Sequence, residues 1–131
     1  MENIKDHKNI NNCLAQPTVS DPDTGAVRSY DAGRGAFEQI SPHGLLRLAQ
    51  RYEAGAIQKG LRNWEQGLPG GEARCVRSIM RHANQILLLD ESEDHFAAIA
   101  WNAFAAMHFQ EEIKAGRMDE KFLFINSRMV P

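Results

Sequence analysis

Two short clusters of ionisable side chains carry the residue types in this chain that are best suited to chemistry. Arg81 and His82 form the first cluster, and Glu93, Asp94 and His95 form the second. Imidazole and carboxylate groups transfer protons and bind metal ions, whereas a guanidinium group neutralises phosphate oxygens. If the fold brings the two clusters together, they would suit an anionic substrate and metal-assisted or acid–base chemistry.

The elements that must position these clusters are helices. Apolar residues recur at three- and four-residue spacing over three segments, which predicts helices near 41–57, 72–89 and 92–115. Ser41, which is followed by proline, and Ser92, which is followed by acidic residues, are suitable N-terminal caps. We therefore predict an all-α fold, a small bundle of three principal helices with flexible N- and C-terminal arms.

A short link joins the second and third predicted helices. Asp90 and Glu91 leave little chain between them, so the two helices are expected to be antiparallel neighbours. The helical rise then places Arg81 and His82 within about two turns of residues 93–95. Cations and carboxylates are therefore predicted to converge at this end of the bundle.

The third helix carries an apolar stripe and, beside it, a polar ridge. The stripe contains Phe96, Ile99, Ala100, Ala103, Phe104 and Met107, and we predict that it faces the core. The ridge repeats every seven residues, with His95 and Asn102 in one row and Asp94, Trp101 and His108 in the other. This ridge is predicted to line a polar pocket.

Two glycine-containing loops supply further candidate ligands. Arg34 lies between two glycines, where the backbone could approach a phosphate, although an ordinary turn is the better explanation of so short a motif. Lys59, Arg62, Asn63 and Trp64 lie close together before a run of glycine and proline. The cations suit phosphate oxygens and the indole offers a stacking face, but Trp64 could also simply fill the core between helices.

A second basic group lies on the predicted helix that follows this loop. Arg74, Arg77 and Arg81 are spaced i, i+3 and i+7, with His82 beside them. Three guanidinium groups in one row suit a polyanion such as a triphosphate, whereas solvated surface arginines are the alternative.

Glu53 is the unusual acidic residue of the first predicted helix. It lies near the C-terminal end, where a carboxylate opposes the helix dipole and calls for a partner such as a metal ion or an arginine. A solvated surface glutamate is the simpler alternative.

Composition excludes several classes of protein. The formal net charge of −2 and the pI of about 6.2 predict no general attraction to nucleic acid polymers or to membrane surfaces. No apolar run reaches the length of a membrane span, and no signal peptide is apparent. Cys13 and Cys75 lack the spacing of metal ligands or of a disulfide scaffold, which favours a reducing cytoplasm.

The domain organisation follows from the placement of polar and apolar segments. We predict a flexible arm over 1–27, a helical nucleotide-binding domain over 28–116 and a C-terminal tail over 117–131. The tail contains a short apolar patch, Phe122 to Ile125, that could dock on the bundle or on a second subunit. Three helices with this many apolar positions leave a face uncovered, so a homo-oligomer is expected.

Several motifs, taken in order, resemble a known family. They are Thr24-Gly25-Ala26, Tyr52-Glu53-x-Gly55-Ala56, Arg62-Asn63-Trp64-Glu65-x-Gly67-x-Pro69, Arg81-His82, Glu93-Asp94-His95, Trp101-Asn102 and His108-x-x-Glu111-Glu112. The family is the phage and prophage dATP/dGTP diphosphohydrolase N-terminal domain, which is loosely associated with the all-α NTP pyrophosphatases. The resemblance extends from Thr24 to about Glu112.

This resemblance implies hydrolysis of a purine deoxynucleoside triphosphate to the monophosphate and pyrophosphate with Mg²⁺, or Mn²⁺. Carried over residue by residue, it implies catalytic roles for Glu53, Asp94, His82 and His95. It implies ligand-binding roles for Arg34, Lys59, Arg62, Asn63, Trp64, Arg81 and Asn102. The metal ligands would be Glu53, Glu93 and Asp94, and the protein would act in the cytoplasm, that of the bacterial host if it is phage-encoded.

Two other functions remain open at the level of sequence. The doubled acidic motif of helical NTP pyrophosphatases is not found on adjacent predicted helices, which leaves a phage protein that sequesters a nucleotide signal, for example a cyclic one, without hydrolysis. A small helical dimerisation module is the structural alternative. An HD-type phosphohydrolase is disfavoured because His82 and the Asp94-His95 pair reverse the order of that motif.

Overall fold

Helices account for most of the chain's regular structure. The computed structural model describes residues 18–29, 33–67 and 70–119. The chain divides into two compact units, Met1–Ile40 and Ser41–Pro131. The second unit contains three long helices, which confirms the prediction of a three-helix fold.

The first unit contains a short β-hairpin. Strand β1, Thr18–Ser20, pairs antiparallel with β2, Val27–Ser29, and a turn of 3-10 helix follows at Phe37–Gln39. The Asp21 carboxylate accepts hydrogen bonds from the backbone N–H groups two and three residues later, at 2.9 and 2.8 Å, and these bonds lower its pKa. No strand was predicted here, because three-residue strands are too short to show alternation.

Helix α1 is Pro42–Lys59, α2 is Gly71–Leu87 and α3 is His95–Lys114. Ser41 caps α1 as predicted, since its hydroxyl accepts the Gly44 N–H at 3.2 Å. Each helix lies within three residues of its predicted bounds.

The start of α3 differs from the expectation that Ser92 is its cap. The N-cap is Asp94, whose carboxylate accepts the Ala97 N–H at 3.0 Å. Ser92 instead donates its hydroxyl to Asp90 at 2.7 Å. Two residues of capping type, two positions apart, compete here, and the carboxylate has the advantage of its charge at the positive end of the helix.

Helix α3 is the central element, because it packs against both α1 and α2. Its buried residues include Ala98, Ala105 and Phe109, and the core cluster joins Ala105 and Phe109 to Cys75 of α2. A Cβ added at Gly71 would lie 3.2 Å from a ring carbon of Phe109. Small residues on both helices therefore allow close antiparallel packing, as the short link predicted.

The predicted core stripe of α3 was wrong. Phe96, Phe104 and Met107 are exposed, at 64%, 47% and 51%, whereas His95 and Asn102 of the polar ridge are buried. Helix α3 is apolar almost all round, so periodicity alone did not distinguish its faces. The buried face of α3 is instead the one with small alanine side chains beside the ridge, because these allow α2 to approach closely.

The C-terminal tail lies mostly outside the described residues, including the apolar patch from Phe122 to Ile125. Met118, which is described, packs against the core cluster. Among the described residues, none of the helices combines the length and apolar character needed to cross a membrane.

Candidate functional site

A cavity of about 990 Å³ lies in the helical unit. Its walls are the C-terminal half of α1, the loop 60–67 and one face of α2, and residues of α3 complete the lining. On α2 the lining residues are Gly71, Arg74, Cys75, Ser78, Arg81 and His82, which recur at helical spacing. Both α1 and α2 pack against α3, and the cavity occupies the space that they leave.

The charge around this cavity is strongly unequal. Its cationic lining residues are Arg51, Lys59, Arg62, Arg74 and Arg81, whereas Glu93 is the single carboxylate among the described lining residues. Arg51 donates to Glu93 at 3.1 Å, and Arg62 forms a fork with Glu65. A cavity with this balance attracts anions, and guanidinium groups suit phosphate in particular.

Aromatic rings form one wall of the cavity. The ring of Tyr52 lies 5.7 Å from that of Trp64 and 5.9 Å from that of Trp101, measured between centroids. Trp64 also meets His108 edge to face at 4.8 Å. The two indoles and the tyrosine line the cavity, so Trp64 both anchors its loop and presents ring surface to the enclosed space.

The loop that carries Trp64 has a strained backbone. Arg62 has φ of 53°, in the left-handed region that side chains other than those of glycine and asparagine rarely adopt. A short 3-10 helix, Asn63–Gln66, begins immediately after it. Such strain is concentrated at functional sites in many proteins, and both Arg62 and Asn63 line the cavity here.

Two buried histidines meet beside the cavity, which His82 lines. The Nδ1 atoms of His82 and His95 are 2.9 Å apart, and the two side chains are 3% and 4% exposed. His95 Nε2 lies 2.6 Å from an oxygen of Asp90, and Glu93 Oε1 lies 3.8 Å from His82 Nδ1. Burial lowers the pKa of His82 and therefore favours the neutral imidazole, whereas the nearby Glu93 carboxylate opposes this effect.

Asp94 is engaged in a different interaction. Both of its oxygens accept hydrogen bonds from Arg47, at 2.6 and 2.7 Å, and one also caps α3. The Arg47 hydrogen bonds lower the pKa of Asp94 to about 2. This carboxylate is absent from the cavity lining and joins the start of α3 to α1.

The structure brings together most of the residues singled out in the sequence. The predicted residues that line the cavity are Lys59, Arg62, Asn63, Trp64, Arg81, His82, Glu93 and Asn102. Asn102 is buried and donates its Nδ2 hydrogen to the Ala98 carbonyl at 2.8 Å. His95 reaches the site through its contact with His82.

Three predicted residues stand apart from this group. Glu53 is exposed on α1 and does not line the cavity, and Asp94 is paired with Arg47. Arg34 belongs to the first compact unit, which is described by itself. Of the three predicted metal ligands, the cavity lining includes Glu93.

Sequence reasoning missed several residues of the site. Arg47 and Arg51 escaped attention although they are spaced by four on α1, the signal for two cations on one helix face. Asp90 was considered only as part of a link, yet it binds His95. Tyr52 was noted only as part of a family motif, yet it lines the cavity with the tryptophans.

The fold and the site define an all-α domain with a cationic, aromatic-lined cavity suited to a phosphorylated aromatic ligand. The sequence profile of the family described as dATP/dGTP diphosphohydrolase, N-terminal, matches residues 24–120. The chain therefore belongs to this family, as its motifs suggested. No curated protein and no solved structure matches the chain in the corresponding searches.

Proposed function

We propose that the cavity binds a purine deoxynucleoside triphosphate and that the protein hydrolyses it to the monophosphate and pyrophosphate. One observation carries the proposal: five cationic side chains and one carboxylate surround a cavity of about 990 Å³ that also has an aromatic wall. The family description supports the same reaction class. Both the anionic and the aromatic parts of a nucleotide thus have counterparts in one cavity.

The triphosphate would contact the cations on either side of the cavity. Lys59 and Arg62 approach from the end of α1 and its loop, and Arg81 approaches from α2. Phosphoryl transfer depends mainly on positioning and on stabilising the charge of the phosphate oxygens, which these groups supply. Arg81 is the most informative of them, because it adjoins His82 and lies on a helix rather than in a loop.

The purine base would lie against the aromatic wall. Trp64 and Trp101 are both half-buried and both line the cavity, with Tyr52 between them. A purine presents a larger stacking surface than a pyrimidine, so a wall of several rings favours it. Asn63 and Asn102 are two of the side-chain amides in the lining, and an amide can form hydrogen bonds with base or sugar.

A magnesium ion fits this cavity only through Glu93. Mg²⁺ prefers oxygen ligands and is commonly held by one or two carboxylates together with substrate phosphates. Glu93 would be the protein ligand, and the bound ion would supply further neutralisation of phosphate charge. Arg51, which donates to Glu93 at 3.1 Å, also lines the cavity and holds that carboxylate in place.

The reaction is tested by identifying its products. The full-length protein is incubated separately with dATP, dGTP, dCTP and dTTP and with Mg²⁺ or Mn²⁺, and nucleotides are separated by anion exchange while pyrophosphate is assayed enzymatically. We expect dAMP or dGMP with one pyrophosphate per turnover. Release of diphosphate and inorganic phosphate, or no turnover of either purine nucleotide, would refute the proposed reaction.

Two arginines of α2 provide a matched pair of variants. Arg81 lines the cavity, whereas Arg77 is exposed on the same helix outside it. Arg81→Ala should raise KM about tenfold or more, the effect of losing one charge-assisted phosphate contact, while Arg77→Ala should leave it unchanged. Equal effects of the two variants would show that the phosphates bind elsewhere.

Calorimetry separates hydrolysis from sequestration. The protein is titrated with dATP, dGTP and cyclic purine nucleotides in EDTA, and recovered nucleotide is analysed for cleavage. Tight binding of a cyclic nucleotide, with no turnover of any triphosphate, would replace the enzymatic proposal by the sequestration that the sequence left open.

A further inference from the structure

We propose that His82, His95 and Glu93 form a binding site for a divalent first-row transition metal ion such as Mn²⁺, Fe²⁺ or Co²⁺. One potential ligand atom from each residue lies within 4.8 Å of the others. Two imidazoles and one carboxylate are a donor set of these metals, and such a set leaves coordination positions open for other ligands. This donor set is distinct from the all-oxygen environment that Mg²⁺ prefers.

Asp90 orients His95 for this role. Its carboxylate lies 2.6 Å from His95 Nε2 and also accepts the Ser92 hydroxyl at 2.7 Å. In the tautomer in which His95 donates its Nε2 hydrogen to this carboxylate, Nδ1 presents a lone pair. Metal-binding histidines are held by carboxylates in this way in many proteins.

The lone pair of His95 points at the second imidazole. His82 Nδ1 lies 2.9 Å away, and it either donates a hydrogen to His95 or presents a lone pair of its own. In the second tautomer the two lone pairs face each other in a buried position, and a cation bound to both relieves their repulsion. The neutral imidazole, with a free lone pair, is the form that binds metals.

The separation of the nitrogens favours one coordination geometry. Metal–nitrogen bonds of about 2.1 Å to atoms 2.9 Å apart meet at roughly 90°. That is the angle between neighbouring ligands of an octahedral ion, whereas the tetrahedral geometry usual for structural zinc requires a wider angle. Glu93 Oε1, at 3.8 Å from His82 Nδ1, needs only a side-chain adjustment to complete the face.

The neighbouring charges are mixed. Glu93 and Asp90 attract a cation, whereas Arg51 donates to the same Glu93 oxygen that would bind the metal, and Arg81 lies close enough to His82 to lower its pKa. Affinity must therefore come from the nitrogen donors rather than from net negative charge. An anionic ligand in the adjoining cavity would offset the arginines and strengthen metal binding.

Metal binding in this proposal does not require nucleotide, so it is tested without one. The full chain is stripped with a chelator and titrated with Co²⁺, which gives visible absorption bands, and with Mn²⁺ by equilibrium dialysis. We expect one ion per chain and retention of Co²⁺ in a large excess of Mg²⁺. No saturable binding, or complete displacement by Mg²⁺, would overturn the site while leaving the proposed hydrolysis open.

Variants identify the ligands. His82→Gln and His95→Gln should each weaken Co²⁺ binding about tenfold or more, and Asp90→Asn should do so by roughly 10- to 100-fold because it orients His95. His108→Gln is the matched control, since His108 lies on α3 and contacts Trp64 instead. An effect of His108→Gln equal to that of His95→Gln would refute the assignment.

A measurement on the unmodified protein covers the case in which the buried histidine variants do not fold. ¹⁵N spectra of the imidazoles should show His95 as the Nε2–H tautomer. Substoichiometric Mn²⁺ should broaden the signals of His82 and His95 before those of exposed His43. Broadening that begins at His43, or that is uniform, would exclude this site.

Discussion

Asp94 offers the sharpest test of what the structure adds to the sequence. The sequence motif gives this residue a catalytic and metal-binding role, whereas the structure pairs it with Arg47 and places it at the N-cap of α3. Asp94→Asn removes the charge and keeps a side chain that caps well, and Asp94→Ala removes both. The two variants therefore separate the ion pair from the cap.

The expected magnitudes follow from exposure and geometry. The side chains of Arg47 and Asp94 are 55% and 36% exposed, so solvent screens the pair even though it is bidentate. An exposed ion pair of this kind contributes about 0.5 to 1 kcal/mol, which is the expected loss of unfolding free energy in Asp94→Asn. Loss of the cap should cost Asp94→Ala about 1 kcal/mol more.

Acidity provides an independent check on the same interaction. Because Arg47 lowers the pKa of Asp94 to about 2, the stabilisation is present above the ordinary carboxyl pKa of 3.8 and disappears as the pH falls between these values. Urea unfolding of wild type and Asp94→Asn at pH 6, 4, 3 and 2 should show two stabilities that converge with acidity. Lys114→Ala, which removes an exposed charge at the far end of α3, is the control.

Catalytic measurements on the same proteins complete the test. If Asp94 is structural, Asp94→Asn retains turnover within about threefold once assayed well below its melting temperature. A loss of kcat of a hundredfold or more with unchanged stability would restore the catalytic role that the sequence motif implies. Equal stabilities of Asp94→Asn and Asp94→Ala would show that the cap has no energetic importance.

Three further predictions concern packing, reactivity and assembly. Burial of Cys75 raises the pKa of its thiol to about 11. In a variant that lacks the other cysteine, Cys75 should therefore react with a thiol reagent at pH 8 roughly 100-fold more slowly than free cysteine does. A reaction rate equal to that of free cysteine would show that the cavity exposes the thiol. Gly55→Ala should raise the unfolding free energy by about 0.5 to 1 kcal/mol, because the new Cβ has open space around it. Gly71→Ala should not, because its Cβ would lie 3.2 Å from the buried ring of Phe109. Equal stabilisation by the two variants would mean that this ring moves aside. Light scattering should give a mass above that of one chain, and the variant Phe104→Ser, on the exposed face of α3, should have a lower mass. A wild-type monomer at micromolar concentration would contradict the expected homo-oligomer.

The sequence predicted the helices well because their signals are local. Ser41 followed by proline fixed the start of α1, and the short link at Asp90 fixed the antiparallel pairing of α2 and α3. These features depend on neighbouring residues alone, so they can be read without knowledge of the rest of the fold.

The buried and exposed faces of α3 were mispredicted because they depend on its contact with another helix. Ala98 and Ala105 have little hydrophobic weight, yet they set how closely α2 can approach, and this contact buries His95 and leaves Phe96 exposed. Large apolar residues dominate any periodicity count, whereas close helix packing selects small ones. The sequence identified the chemical residues of the ridge and could not show that they are interior.

The sequence identified residue types that suit the candidate site, but it did not show which of them lie together. Lys59, Arg62 and Arg81 were identified from residue type, and the fold does place them around one cavity. Glu53 was selected because a carboxylate opposes the dipole of α1, but helical rotation directs it away from the residues that meet α3. Which partner an ionisable side chain finds depends on long-range contacts that sequence spacing does not encode.

Residues of all three helices line the cavity, and among the described residues no large side chain is completely excluded from solvent. A ligand that fills this cavity would add contacts to the folded state that the side chains alone do not provide. At a concentration a hundred times its dissociation constant, it would add about 2.7 kcal/mol to the stability of the folded chain. The survival of the protein against proteases would then track the supply of that ligand, and depletion of the ligand would shorten the protein's lifetime.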